Sequence, residues 1–186
     1  MKLPLTAILS AAILSASAAT ILINNLENGK TNGWGPYSDQ PGPGTATITD
    51  DAVSGNNALK VTLEGCKQYR GIQYHDAPVM PEGATAVSFL IKPVTGAPPA
   101  WLALGEVSGR YGKVLARGRA PIKTKDNDWQ KVTIPLSEMI GDIPGPGYEK
   151  PFSAFKPGAI YTFAFYVPVS GQRSVFLLDD IAWETK

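Results

Sequence analysis

The stretch SVFLLDDIAWE, residues 174–184, is apolar apart from its two ends and two adjacent central carboxylates, Asp179 and Asp180. Its β-branched, aromatic and aliphatic residues are typical of a strand that is buried on both faces near the middle of a sheet. Because side chains alternate along a strand, one carboxylate should point to each face. The apolar residues that would share these faces are Leu177, Ile181 and Trp183 with Asp179, and Leu178 and Ala182 with Asp180. A carboxylate on an apolar face needs a hydrogen bond, a counter-charge or a cation.

The same strand-like pattern recurs along the rest of the chain. About ten short apolar or alternating runs are separated by turns that are rich in the chain's 19 glycines and 16 prolines. Residues 19–186 are therefore expected to form one all-β domain, a two-sheet antiparallel β-sandwich or jelly roll. A parallel α/β sheet is excluded because the sequence leaves no room for crossover helices. The apolar positions expected in the core are Leu59, Val61, Leu63, Ile72, Val87, Phe89, Ile91, Leu102, Leu104, Phe163, Phe165, Trp129 and Trp183.

The N-terminus has the features of a secretory signal peptide. Lys2 precedes an apolar run, and small residues follow it with alanine at positions 16 and 18. The apolar run is shorter than the roughly 20 residues that a membrane-spanning helix needs. We therefore expect residues 1–18 to be a cleaved signal and the mature protein to be secreted, with no membrane partner.

The charge balance and the cysteine count narrow the possible partners and stabilising bonds. Lys and Arg number 17 against 16 Asp and Glu, so the overall charge favours neither a nucleic acid nor an anionic membrane as the partner. Cys66 is the only cysteine in the sequence, which excludes an intrachain disulfide. We interpret it as a buried structural residue rather than as a nucleophile.

The sequence contains few of the residue patterns that catalysis requires. His75 is the only histidine, no Gly-x-Ser-x-Gly elbow occurs, and a metal site with several histidines is impossible. The 16 acidic residues leave paired carboxylates open, although none stands in a recognisable signature. A non-catalytic protein is the preferred interpretation. The enzyme alternative is a small jelly-roll polysaccharide lyase or glycoside hydrolase using His75, Arg70 or Glu106.

Polar residues near the ends of three predicted strands indicate a cation site. Glu27 follows the first strand, Asn57 precedes the strand at 58–63, and Asp179 lies in the last strand. If these strands are neighbours in one sheet, their ends supply carboxylate, amide and carbonyl oxygens, which are the ligands that calcium prefers. The alternative without metal is that Asp179 accepts backbone N–H bonds or pairs with a lysine or arginine.

Aromatic residues on three other strands indicate a binding face. With the apolar positions of these strands in the core, the open face carries Tyr69, Gln73, His75, Trp101 and Tyr166. The small residues Gly71, Ala103 and Gly105 would form the floor of a groove between them. Aromatic rings can stack on the apolar faces of sugar rings, and a few polar groups can bond to the hydroxyls. The alternative is that several of these tyrosines close the ends of the sandwich.

The order of short motifs resembles a known group of domains. These motifs are NLENG (25–29), Gly33-Trp34, SGNNALKV (54–61), YRGI (69–72), VSFLIK (87–92), WQKVTIPL (129–136) and FLLDDI (176–181). The succession is similar to the galactose-binding-like jelly-roll domains, and most similar to family 11 carbohydrate-binding modules and the complex-I-intermediate-associated-protein domain.

The resemblance implies a structural calcium near the first and last strands and β-glucan binding on the concave face. It places Glu27, Asn57 and Asp179 at the calcium site, and Tyr69 and Tyr166 on ligand-bearing strands. The chain departs from the usual Asp-Phe-Glu opening, because Asn25-Leu26-Glu27 has one carboxylate fewer.

The sequence therefore predicts a secreted, non-catalytic polysaccharide-binding protein with a structural Ca²⁺. No catalytic domain is recognised in these residues, so we expect a free-standing binder or one that acts beside separate enzymes. A protein-interaction or assembly domain, as in the complex-I-associated relatives, is a further alternative that the signal peptide disfavours.

Overall fold

A computed structural model describes residues 18–31, 33–76, 78–109, 112–141 and 154–186. These residues form a sandwich of two antiparallel sheets, which confirms the predicted fold class. The predicted signal peptide, residues 1–18, lies outside the described residues except for Ala18. No helix in the described ranges is both long enough and apolar enough to cross a membrane.

The first sheet contains the three strands that position the expected cation ligands. Its strands are β1 (Thr20–Asn24), β3 (Gly44–Thr49), β4 (Ala58–Leu63), β6 (Ala84–Thr95), β9 (Gln130–Pro135) and β12 (Ser174–Thr185). The order across the sheet is β3-β4-β12-β6-β9, and β1 also pairs with β12. The expectation that the first strand, the 58–63 strand and the last strand are neighbours is therefore confirmed.

The second sheet contains the strands of the expected binding face. Its strands are β2 (Trp34–Ser38), β5 (Arg70–Tyr74), β7 (Trp101–Val107), β8 (Val114–Pro121), β10 (Ile140–Gly141) and β11 (Ile160–Val167). The order is β10-β8-β7-β11-β5-β2. Gly35 and Pro36 are more typical of a loop than of a strand, yet both lie within β2. Pro36 is tolerated there because β2 is an edge strand, where one side of the backbone needs no partner.

The last strand occupies the middle of the first sheet, as predicted. The β12 strand pairs with β6 along one edge and with β4 and then β1 along the other. The β4 pairing ends at Leu178, and the β1 pairing begins at Ile181. Residues 179 and 180 therefore lie where β12 passes from one neighbour to the other.

The predicted alternation of side chains along this strand is wrong beyond Asp179. Asp180 has a positive φ of 44°, and the pairing of β12 with β6 shifts between Asp179 and Ala182. The resulting β-bulge adds one residue and reverses the faces of the residues that follow it. The core consequently contains Phe176 and Leu178 before the bulge, and Ile181 and Trp183 after it.

The interior of the sandwich contains nearly all of the predicted apolar positions. The predicted core residues that are no more than 1% exposed are Leu59, Val61, Leu63, Ile72, Val87, Phe89, Ile91, Leu102, Leu104, Phe163, Phe165 and Trp183. The prediction for Trp129 is wrong, because this residue is only half-buried and its indole N–H donates to Oδ1 of Asp51 (3.2 Å). Cys66 is buried, as expected of a structural residue.

A buried arginine connects the two sheets. Arg70 of β5 has no exposed surface, and its guanidinium donates to the backbone oxygens of Glu64 (3.0 Å), Pro168 (3.2 Å) and Gln172 (2.6 Å). It also donates to Oγ of Ser174, the first residue of β12 (2.8 Å). The side chain thus satisfies carbonyl groups in two connecting segments and joins the second sheet to the first.

Candidate functional site

The outward face of the second sheet brings together the aromatic residues that the sequence singled out. In the register of β2, β5, β11 and β7, Tyr37, Gly71, Tyr166 and Trp101 form one row across four strands. Tyr69 precedes β5, and its ring centroid lies 6.3 Å from that of Tyr37. Tyr37 in turn contacts Tyr166 edge-on, with the centroids 5.7 Å apart. Tyr37 was not predicted as a binding residue, because the Gly35-Pro36 pair before it is more typical of a loop.

A cleft of about 340 Å³ opens beside this row. Three of the five predicted ligand-binding residues line it, namely Tyr69, Trp101 and Tyr166. Arg117 and Arg119 of β8 also line it, and neither is among the predicted ligand-binding residues. The strand β8 runs from Val114 to Pro121 and presents both arginines outward.

Each of these arginines is held against an aromatic ring. The guanidinium carbon of Arg117 lies 5.1 Å from the ring centroid of Tyr166, and Nη1 of Arg117 donates to the tyrosine hydroxyl. The guanidinium carbon of Arg119 lies 4.9 Å from the ring centroid of Trp101. Cation–π contacts of this kind fix the orientation of the guanidinium group and cover part of each ring.

The small residues do not form the open groove floor that the sequence predicted. A Cβ at Gly71 would lie 2.6 Å from the Tyr37 hydroxyl oxygen, so the Tyr37 side chain covers this glycine. Ala103 faces outward, yet it is only 1% exposed. At Gly105 the space is taken by the side chains of Thr162 and Val114. The small residues thus provide room for larger side chains that lie over the sheet.

The other two predicted binding residues lie away from the cleft. Gln73 is half-buried on β5, in the register row between Gly35 and Ala164. His75 is exposed just after β5, and a Cβ at Gly35 would lie 3.3 Å from its Nε2 atom. His75 therefore packs over the edge strand β2. The structure places both residues on the predicted sheet but not among the cleft's lining residues.

On the first sheet, Glu27 contacts the loop of residues 54–57. Leu26 has a positive φ of 61° and is fully buried, and its N–H donates to Oδ1 of Asn24 (2.8 Å). After this turn, the Glu27 carboxylate accepts the backbone N–H groups of Asn56 (3.0 Å) and Asn57 (3.0 Å). Asn57 therefore enters this arrangement through its backbone.

Asp179 contacts the same loop from the sheet. It is fully buried, its Oδ2 accepts the N–H of Ser54 (3.2 Å), and its Oδ1 accepts the N–H of Asp180 (2.8 Å). Burial raises the pKa of Asp179, although the N–H bond from Ser54 acts in the opposite direction. The charge of Asp180 raises it further. Both the predicted carboxylate ligands thus converge on the 54–57 loop.

Solved structures that share this arrangement of strands include several carbohydrate-binding modules. The family 11 module of the cellulosomal cellulase Lic26A-Cel5E of Clostridium thermocellum has a TM-score of 0.69 at 20% sequence identity, over 92% of this chain and 97% of that one. The family 11 module from Clostridium thermocellum in complex with a β-1,3-1,4-mixed-linked tetrasaccharide has a TM-score of 0.69 at 22% identity, over 91% and 96%. The CBM22-1 xylan-binding domain of Paenibacillus barcinonensis Xyn10C has a TM-score of 0.55 at 17% identity, over 92% and 97%.

This chain has the fold of a family 11 carbohydrate-binding module. The resemblance inferred from the sequence is therefore confirmed at the level of the fold. The sequence matches no protein-family model, and a search of curated proteins gives no match either.

The family resemblance implies a bound calcium ion, and the residues near Glu27 and Asp179 would have to supply the oxygen atoms that coordinate it. The described residues contain no group of three or more His, Cys, Asp or Glu side chains that could hold a metal ion. Glu27 and Asp179 still offer two carboxylates to one loop. Oε1 of Glu27 accepts the N–H groups of both Asn56 and Asn57, whereas Oε2 accepts that of Asn56 and retains a further lone pair. These residues fit a calcium ion if amide and carbonyl oxygens complete its coordination.

Proposed function

We propose that this protein binds a polysaccharide non-catalytically on the open face of its second sheet. The observation that carries the proposal is the cleft that Tyr69, Trp101 and Tyr166 line together. Three aromatic side chains around one cleft offer apolar surfaces on which sugar rings can stack. The adjacent arginines and Gln68 supply donors for hydroxyl groups. The fold shared with carbohydrate-binding modules supports the same conclusion.

The positions of the candidate catalytic residues support a binding protein over an enzyme. Arg70 has no exposed surface, and its guanidinium group donates to three backbone oxygens, so this group serves the fold rather than a substrate. Glu106 lies opposite the buried Tyr161, whose pKa is raised by burial and further by the charge of Glu106. His75 instead lies on the outward face over β2. The three residues proposed for a lyase or hydrolase thus do not share one face.

A β-glucan is the first polysaccharide to test. The solved family 11 module with a mixed-linked tetrasaccharide supports this choice, as does the resemblance in the sequence. Secretion through the signal at residues 1–18 is part of the same proposal, because polysaccharides of this kind lie outside the cell.

We also propose that a calcium ion is held near the 54–57 loop by Glu27 and Asp179. The fully buried Asp179 carboxylate supports this, since a cation would offset the cost of burying its charge. Asn57 would contribute an oxygen, and the ion's role would be to tie β1, β4 and β12 together. This site lies on the first sheet and is separate from the cleft.

Loss of stacking surface tests the proposed function directly. We expect Trp101→Ala and Tyr166→Ala each to weaken polysaccharide binding by about 1–3 kcal/mol, as at an interface hot spot. Isothermal titration with mixed-linkage β-glucan and xylan oligosaccharides measures this change. Trp129→Ala is the matched control, because Trp129 is a half-buried tryptophan next to the first sheet. Unchanged affinity in both cleft variants, with the parent binding well, would show that the face is wrongly assigned.

A further inference from the structure

We propose that the cleft binds an anionic polysaccharide, one that carries carboxylate or sulfate groups, and that Arg117 and Arg119 determine this specificity. The inference rests on the proposed function, because it names the class of glycan that the same cleft takes. Neither arginine is among the residues that the sequence analysis selected.

Aromatic residues of the cleft hold both guanidinium groups in place. Arg117 is fixed by the ring and the hydroxyl of Tyr166, and Arg119 by the ring of Trp101. A guanidinium group carries five N–H donors in a planar fork that matches a carboxylate or a similar oxyanion. Because the aromatic contacts already restrict these side chains, less conformational entropy is lost when a ligand binds.

The charged side chains described around the cleft are positive. The described lining residues include arginines and no aspartate or glutamate. Hydrogen bonds from a guanidinium group to an anion are about twice as strong as bonds between neutral groups. An anionic sugar therefore gains more from Arg117 and Arg119 than a neutral sugar of the same shape does.

The sequence remains basic immediately after the two arginines of the cleft. The stretch RGRAPIKTK, residues 117–125, has four basic residues and no acidic one, although the whole chain has a net charge of only +1. After β8 the backbone remains paired at Ile122, whose N–H donates to the oxygen of Ala100. Lys123 and Lys125 are exposed and line a second cleft, together with Lys131, Glu138 and residues of β9.

The part of this basic stretch that lies in β8, from Arg117 to Pro121, is extended and spans about 13 Å. Nucleic acids are also linear polyanions. The carbohydrate-binding-module fold and the row of aromatic side chains on the open face favour a glycan.

The decisive experiment uses ligands that differ in charge but share one backbone. Affinity electrophoresis and isothermal titration would compare de-esterified polygalacturonate with its highly methyl-esterified form. A sulfated galactan, neutral mixed-linkage β-glucan and single-stranded DNA complete the set. We expect tighter binding to the de-esterified or to the sulfated polymer than to the uncharged ones. This preference should fall as salt is added, because exposed charges are screened.

Variants that remove one positive charge test whether the preference for charged polymers comes from the cleft. We expect Arg117→Gln and Arg119→Gln each to weaken binding of the charged polymer about tenfold, the scale of one charge-assisted hydrogen bond. Binding of a neutral polymer should change less. Lys60→Gln is the matched control, since Lys60 is exposed on β4 of the other sheet, and it should bind like the parent. Arg119→Lys should retain only part of the preference, because a lysine cannot form the planar fork.

The possible outcomes separate this inference from the proposed function. Equal affinity for esterified and de-esterified polygalacturonate, with no preference for the sulfated galactan, overturns the inference and leaves polysaccharide binding intact. Binding to none of the polysaccharides overturns both. Equally tight binding of DNA, with the same dependence on Arg117 and Arg119, overturns the assignment to a glycan. A preference for the sulfated polymer alone supports the inference and identifies sulfate as the anion.

Discussion

At the scale of single residues, Asp179 has the most unusual surroundings in the described chain. Its carboxylate is fully buried and accepts two backbone N–H groups, and Asp180 lies next to it. The resulting increase in its pKa means that the folded protein binds a proton at this carboxyl more tightly than the unfolded protein does. Without a cation, the Asp179 contribution to stability is greatest below the ordinary pKa of 3.8, and it is lost as the pH rises through the folded pKa.

At neutral pH, a bound calcium ion should offset the free-energy cost of burying the ionised Asp179 carboxylate. We expect added calcium to raise the unfolding temperature of the parent protein, and EDTA to lower it, because only the folded state presents the paired carboxylates. Asp179→Asn should lose most of the response to calcium, and in EDTA it should be at least as stable as the parent. Thermal unfolding followed by circular dichroism measures both effects.

Asp180→Asn serves as the control for this experiment, because it removes a neighbouring charge but leaves the predicted ligand. If Asp179→Asn responds to calcium as strongly as the parent does, Asp179 is not a ligand.

Glu184 shows the opposite electrostatic behaviour. Hydrogen bonds from Ser88 (2.5 Å) and Thr20 (2.7 Å), together with Lys131, lower its pKa from 4.5 to about 2. Its contribution to stability is therefore fully present above the unfolded pKa of 4.5, and it is lost as the pH falls towards about 2. We expect Glu184→Gln to reduce the free energy of unfolding at neutral pH, and this cost to shrink below pH 4.5.

Urea unfolding of the parent and the Glu184→Gln variant over this pH range would check the prediction. Glu138→Gln, which changes an exposed glutamate on a 3₁₀ turn, is a suitable control. A difference between parent and Glu184→Gln that stays constant with pH would contradict the assignment.

At the scale of elements, the 54–57 loop depends on one glycine for two reasons. Gly55 has a φ of +68°, a conformation that side chains with a Cβ rarely adopt. A Cβ there would also lie 2.5 Å from each carboxylate oxygen of Glu27. Because Gly55 has no side chain, the backbone amides of this loop can approach the Glu27 carboxylate closely.

Gly29 makes it possible to separate the two effects. It has the same φ of +68°, but a Cβ at this position would have no heavy atom within 4 Å. Gly29→Ala should cost about 1 kcal/mol of unfolding free energy through the backbone conformation alone. Gly55→Ala should cost about 1–3 kcal/mol more, because it adds overlap with a carboxylate and displaces its hydrogen bonds. Chemical denaturation measures the difference, and equal costs at the two sites would show that Glu27 does not contact the loop in solution.

At the scale of the whole molecule, the Arg70 side chain links the sheets and the segments that connect their strands. It bonds to the segment after β4, to the segment between β11 and β12, and to the first residue of β12. Pro168 also lines the cleft, so this connection supports one wall of the proposed binding site.

Replacing Arg70 should therefore destabilise the entire domain. We expect Arg70→Met to reduce the free energy of unfolding by about 3–5 kcal/mol, because it leaves buried carbonyl groups without their donors. Arg173→Met is the control, since the Arg173 side chain is 61% exposed and its ion pair with Glu64 is long, at 3.6 Å. Equal stability of the two variants in urea unfolding would show that the buried network contributes little.

Much of the fold could be predicted because its signals are local. Alternation of apolar residues predicted the core positions of β4, β6, β7 and β11, and the continuous apolar run predicted that β12 is central. The strand at Trp34–Ser38 was missed because Gly35 and Pro36 usually indicate a loop, and only its place at the sheet edge makes Pro36 acceptable. The reversal of faces after Asp179 was missed because alternation assumes an unbroken strand, whereas a bulge depends on the pairing with β6.

The sequence by itself determined the all-β class, the central last strand and the sheet that carries Tyr69, Trp101 and Tyr166. These properties depend on side-chain periodicity and turn residues, which act over a few positions. Only the tertiary structure decided that Arg117 and Arg119 lie over those aromatic rings, that His75 lies away from them, and that Tyr37 covers Gly71. These contacts depend on strand order, register and the direction in which long side chains lean across the sheet. Such properties arise between residues that are distant in sequence, so no local pattern specifies them.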